Sequence, residues 1–150
     1  MMDNKENVIA LFKAIISDFP KLSMRFEPDP KNVDVSIDIA RQPGLPFDIN
    51  LNLQGDELHI AASAFCCEWV PSTNSKVIEE FRKSVCGLLS GEYRILEHYR
   101  GEHPVRSELQ RMQDDNWKTV ATWMRPHLYF FKKTSKKILR ANPVTAHDSN

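Results

Sequence analysis

The stretch from Val33 to Cys66 constrains this chain more than any other. Val33, Val35, Ile37 and Ile39 alternate with Asp34, Ser36 and Asp38, and after Arg41-Gln42-Pro43-Gly44-Leu45-Pro46 the alternation resumes with Phe47, Ile49, Leu51 and Leu53. A period of two sends successive side chains to opposite faces of a pleated strand, so each strand buries one face and wets the other. Gly55-Asp56 supplies a two-residue turn with glycine first, as a type II′ hairpin prefers. That turn pairs Leu53 with Leu58, Leu51 with Ile60 and Ile49 with Ala62, and sets Asn52 opposite His59 and Asp48 opposite Ser63 on the outer face. The apolar set moves from odd to even numbers across the turn, as this register demands. A half-solvated antiparallel sheet follows.

Around this hairpin the period changes. Val8, Phe12, Ile15, Ile16 and Phe19 recur at steps of three and four, the stripe of an amphipathic helix closed by Pro20. Leu22, Met24 and Phe26 read as a short strand. Val77, Ile78, Phe81, Val85, Leu88 and Leu89 form a second stripe, with Glu79, Glu80, Arg82 and Lys83 on the solvent side and Gly91 as its stop. The two helices share V-I-x-x-F-basic, at Val8 and at Val77. A duplicated helix-plus-strands unit whose halves form one sheet would explain this, and so would the ordinary needs of any amphipathic helix.

Further on, Tyr93 to Arg100 and Arg106 to Gln113 read as strands about a Gly101-Glu102-His103-Pro104 turn. Asp114-Asp115-Asn116 turns the chain into a strand holding Trp117, Thr119, Ala121 and Trp123. A helical stripe through Trp117, Val120, Ala121, Met124, Leu128, Phe131, Ile138 and Leu139 competes with it. From Pro126 to Ala141 the signals favour a helix: proline in the first turn, bases toward the end, then Asn142-Pro143. These elements predict a single α+β domain over residues 1–143, with one antiparallel sheet of about six or seven strands, two or three helices on one face, and a flexible tail over 144–150.

The 150 residues carry 20 basic and 20 acidic side chains, so net charge draws the chain to neither nucleic acid nor membrane. No apolar run reaches the length of a membrane span. The N-terminus lacks the pattern of a secretory signal, and an odd count of three cysteines fits a reducing, cytoplasmic setting. Only local charge can direct a partner. Eight acids face two bases between Glu27 and Glu68, whereas Trp117 to Ala141 holds seven bases and no acid.

No phosphate loop, nucleophile elbow, zinc pattern or calcium loop occurs. Asp34, Asp38, Asp48, Glu57 and His59 share the outer face of the hairpin region, where carboxylates could hold a cation or perform acid-base work, but such residues also make the ordinary wet side of a sheet. His98 and His103 frame a polar turn. Cys66 continues the inward positions after Ala64, leaving Phe65 and Cys67 outward and Cys67 as the one thiol worth testing. On a helix, the basic run Lys132, Lys133, Lys136, Lys137 and Arg140 forms a solvated flank, while Trp69, Tyr93, Trp117 and Trp123 could line a pocket between sheet and helices. These features predict no catalytic residue, metal or cofactor. The leading expectation is a non-enzymatic module that binds another protein or itself; a small-ligand domain with an aromatic pocket, or a small enzyme using the acidic face or the His98/His103 hairpin, are the alternatives.

Overall fold

The computed structural model describes residues 3–125 and 136–142. Two helices start on side-chain caps. Asp3 accepts from the Glu6 N–H at 2.8 Å to open α1 (Asn4–Asp18), and Asn74 accepts from the Lys76 and Val77 N–H groups to open α2 (Ser75–Ser90). Such caps satisfy donors that the helix itself cannot. Gly91, at φ 85°, ends α2 in the left-handed region.

Each helix is followed by a meander of strands. After α1 come β1 (Arg25–Glu27), β2 (Val35–Ile39), β3 (Ile49–Gln54), β4 (Glu57–Ala62) and β5 (Phe65–Trp69), paired in that order. After α2 come β6 (Tyr93–Arg100), β7 (His103–Gln113), β8 (Asn116–Met124) and β9 (Lys136–Arg140), paired in the order β8-β7-β6-β9. All pairings are antiparallel, so the class is α+β. The strands form two sheets, of five and four strands, and not the single sheet of six or seven that the alternation suggested.

The β3–β4 register is the expected one from Ile49 onward, with Leu53 opposite Leu58, Leu51 opposite Ile60, Ile49 opposite Ala62 and Asn52 opposite His59, whereas Asp48 and Ser63, expected to face each other, lie outside the paired strands. Gly55 takes φ 63° in the turn between them. A second turn of the same length, Ser63-Ala64, carries no glycine or asparagine and left no mark in the sequence. Ser63 takes φ 53° there, and Ala62 pairs directly with Phe65. The parity therefore resets once more: Phe65 is fully buried and Cys66 is exposed, the reverse of the reading that carried the inward set through Ala64 to Cys66.

Asp114 and Asp115, at φ 52° and 64°, build the β7–β8 turn, and Gln113 pairs with Asn116. Two left-handed residues make a type I′ geometry, which aspartate tolerates better than most side chains. The strand reading of Trp117 to Trp123 therefore holds, and the helical stripe through it does not. The helix expected over Pro126 to Ala141 is also displaced where the chain is described. Lys136–Arg140 is a strand, with Leu139 opposite Leu96 and Ile138 opposite Glu97. β6 would otherwise present an open edge, and closing that ladder outweighs helix propensity in a segment whose register also delivers Arg140 to a buried carboxylate. Residues 126–135 and the expected tail at 144–150 lie outside the described residues. Among the described residues no helix is long and apolar enough to cross a membrane.

The core lies between the helices and the inner faces of both sheets. Val8, Phe12 and Ile15 of α1 and Phe81, Val85, Leu88 and Leu89 of α2 are buried with Val35, Ile37, Ile39, Leu51, Leu53, Leu58 and Ile60. Phe12 and Phe81 occupy the same place in the repeated V-I-x-x-F and stack on each other, ring centroids 6.3 Å apart and 18° from parallel. Trp69 meets Phe81 edge-on at 5.8 Å. Near the end of α2, Gly87 lets the chain lie against Tyr93, whose ring occupies the place of a Cβ. Gly87→Ala should therefore lower stability by about 1–3 kcal/mol through overpacking, despite alanine's better helix propensity. Chemical denaturation with an unchanged m-value would check this; a stabilised variant would contradict it.

Candidate functional site

The second sheet buries only two large apolar side chains, Ile95 and Leu109, among its described residues. Its other buried positions are polar: Glu97, His98, Ser107 and Gln110. Removing such groups from water is costly unless each finds a partner, so their bonds account for the shape of the sheet.

Glu97 faces the first sheet. Its Oε2 accepts from the Ala64 N–H at 2.7 Å, and its Oε1 accepts from Arg140 Nε at 2.9 Å and Tyr99 Oη at 3.2 Å. Ser107 Oγ donates to the Ala64 carbonyl at 3.1 Å. The β4–β5 turn is thus clamped onto the second sheet by both backbone groups of Ala64. Burial raises the carboxyl's pKa, but hydrogen bonds from Ser63, Ala64 and Arg140, together with Arg140's charge, outweigh it and hold Glu97 below its ordinary range.

The opposite face of the second sheet carries a chain of side-chain bonds across three strands. Arg94 Nε donates to Gln110 Oε1 at 2.9 Å, Gln110 Nε2 to Thr119 Oγ1 at 3.3 Å, and Thr119 Oγ1 to Glu108 Oε1 at 3.1 Å. Glu108 Oε2 lies 2.6 Å from His98 Nε2, and Arg106 Nη2 lies 3.3 Å from that nitrogen. The Arg94 guanidinium sits 4.0 Å above the Trp117 ring, and partial desolvation lowers its pKa. For Glu108, burial is again outweighed, here by hydrogen bonds from His98 and Thr119 and by the charge of Arg106, so it stays below the ordinary range. Every carboxylate and guanidinium in this chain already has a protein partner. The relay stiffens the face.

Several apolar side chains are exposed around that stiff face. Met112, Met124 and Leu139 are each about half exposed, at 49, 49 and 53%, and Val120 at the β8 bulge is 38% exposed. β8 forms one end of its sheet and β5 one end of the other, and they run along a common cleft of about 430 Å³. Cys66, Cys67, Glu68 and Trp69 line one wall, and Val120, Ala121, Thr122, Trp123 and Met124 line the other. Consecutive residues on both walls mean that strand edges, rather than strand faces, border the cleft. Among the described residues β5 is bonded only to β4, and β8 only to β7. Val70, 46% exposed, follows directly at the end of β5. The Cys67 thiol is pushed up to about 12 by burial, then by the charges of Glu68 and Cys66, and burial raises Cys66 as well. Both shifts disfavour the reactive thiolate, including at Cys67, the one thiol the sequence marked as worth testing.

The aromatic residues expected to share a pocket are dispersed. Trp69 and Trp123 line the cleft, Trp117 lies under Arg94 on the outer face, and Tyr93 borders a separate depression with Phe19, Cys86 and Gly87. The basic segment is likewise divided. Arg140 is bound to Glu97, Lys136 pairs with Glu102 at 3.4 Å and lies 5.2 Å over Tyr99, and Lys137 is exposed opposite His98. These three do not form one helical flank, and Lys132 and Lys133 lie outside the described residues. Three acids of the first sheet's expected cluster are hydrogen-bonded, Asp34 by the Gly55 N–H, Asp38 by Arg25 and Asn50, and Asp48 by the Arg41 N–H, while Glu57 lies 3.6 Å from His59 Nε2. His98 is buried, while His103 is exposed at the start of β7 opposite Arg100, so the two histidines do not converge. Among the described residues no three histidine, cysteine or carboxylate side chains could share a metal ion. The cleft itself was missed in the sequence, where the one available signal was β8: a long strand with a single charge, Lys118, and two tryptophans.

No family model, curated protein or solved structure matches the chain.

Because Glu97 has a lower pKa folded than unfolded, its contribution to stability is complete above the ordinary glutamate value of 4.5 and is lost as pH falls through the folded value. Glu97→Gln should cost about 1–3 kcal/mol at pH 7 and flatten the acid side of the stability profile. Denaturation midpoints between pH 3 and 7 would check this; an equally steep acid limb in the variant would contradict it.

Proposed function

We propose that the protein is a non-enzymatic interaction module that takes up an extended segment of a partner protein along the cleft between β5 and β8. The observation that carries this reading is the pair of sheet-end strands, neither with a second strand partner among the described residues, that border one cleft lined by exposed Val120 and Met124. An open edge offers a row of backbone donors and acceptors, and an added strand satisfies them whatever its side chains. Proteins usually protect such edges with charge, proline or a bulge. β8 carries one lysine and a bulge at Val120, yet exposes its apolar side chains there. The relay behind it, from Arg94 to His98, holds β8 in a fixed shape, which lowers the ordering cost of binding.

Two other readings have less behind them. A small-ligand site has Trp69 and Trp123 in its favour, but among the described residues Glu68 is the one ionised group on the cleft wall and no set of polar side chains converges there. Enzymatic use of the acidic face or of the two histidines would need groups that are free and near one another, and here they are engaged or apart.

Selection of displayed heptapeptides against the intact protein should enrich segments of high β propensity. Their binding should shift backbone amide resonances of β5 and β8 and weaken by about tenfold or more in the Val120→Lys, Met124→Lys double variant, since edge charges oppose strand addition. Enriched peptides that perturb other surfaces, or that bind the double variant equally well, would overturn the assignment.

A further inference from the structure

The chemistry of the cleft's two walls goes further than strand addition and specifies the guest's side-chain pattern; this inference rests on the strand-docking reading. On β5, Cys66 and Glu68 lie on the outer face with His59, while Phe65, Cys67 and Trp69 pair with Ala62, Ile60 and Leu58 on the inner face. A strand lying beside β5 alternates in step with it. Its residues opposite Cys67 and Trp69 would turn inward toward the apolar side, near Trp69 and Trp123. The residue between them would cross Glu68 on the outer face.

Among the described residues Glu68 is the only ionised side chain lining the cleft, since both thiols there are held neutral by their raised pKa values and Val120 to Met124 carry no charge. It is exposed and makes no ion pair with another described residue. Across the ladder from it stands His59, whose Nε2 lies 3.6 Å from Glu57. Directly opposed strand residues have Cβ atoms about 4.5–5.5 Å apart, where opposite charges attract and like charges repel. We infer that the segment bound at this cleft has an apolar-basic-apolar pattern, with a lysine or arginine crossing Glu68 and its two neighbours packed against the tryptophan-lined side.

Three synthetic peptides test this: Gly-Thr-Val-Lys-Val-Thr-Gly with capped ends, and the same peptide with glutamine or glutamate at its centre. Each is titrated into the full chain by tryptophan fluorescence, with amide shifts mapping the site. The lysine peptide should bind about fivefold more tightly than the glutamate peptide at low salt, with glutamine between them, and the spread should shrink at high salt. Glu68→Gln should level the series and Glu68→Lys should invert it. Equal binding of all three peptides to the wild type, or a preference unchanged in Glu68→Gln, overturns the charge pattern while strand docking stands. If none of the three binds or moves β5 and β8 resonances, the pattern and the docking reading both fall.

Discussion

The contact on which the arrangement of the two sheets depends is a carboxylate without solvent exposure. Glu97 receives the Ala64 N–H from the first sheet and Arg140 from the last strand of the second, and Ser107 completes the hold on Ala64 from below. A buried charge is stabilising only when its partners have good geometry, and losing one of them is costly. Hydrophobic contacts are non-directional and would allow the sheets to slide over one another. A backbone turn held at both its N–H and its carbonyl does not, so this polar contact fixes where β5 ends up relative to β8.

That placement creates the cleft. The sheets approach at the β4–β5 turn, and Ser107, which holds the turn, is the register partner of Trp123 on β8. β5 then runs from this clamp toward Trp69, which is anchored edge-on to Phe81, while Phe81 stacks on Phe12. The repeated V-I-x-x-F of the two helices thus acquires a physical role: its phenylalanines join the helices to each other and to the cleft wall. The polar relay on the outer face does a related job for β8. Its charged groups are engaged with one another, and that stiffens the face.

Much of the first sheet was legible in advance because each of its strands buries one face, and a period of two with a glycine turn leaves a single register. Both helices were legible for the same reason at a different period. The second sheet was harder to read. Its inner positions mix Ile95 and Leu109 with Glu97 and Ser107, so alternation of apolar and polar residues fails as a guide to which face is buried. The Ser63-Ala64 turn was invisible because serine is an unusual choice for a left-handed residue, and that one omission reversed Phe65 and Cys66.

By itself the sequence determined the α+β class, the two amphipathic helices and the β3–β4 register, and it favoured the Asp114-Asp115 hairpin over a competing helical stripe, since each follows from local periodicity and turn chemistry. Tertiary structure alone decided that the strands part into two sheets, that Lys136–Arg140 extends along β6 instead of coiling, and that β5 and β8 border one cleft. Those outcomes depend on partners far apart in the chain: Glu97 with Ala64 and Arg140, and Phe12 with Phe81. A local pattern carries no information about which distant group will satisfy a buried charge or an open strand edge.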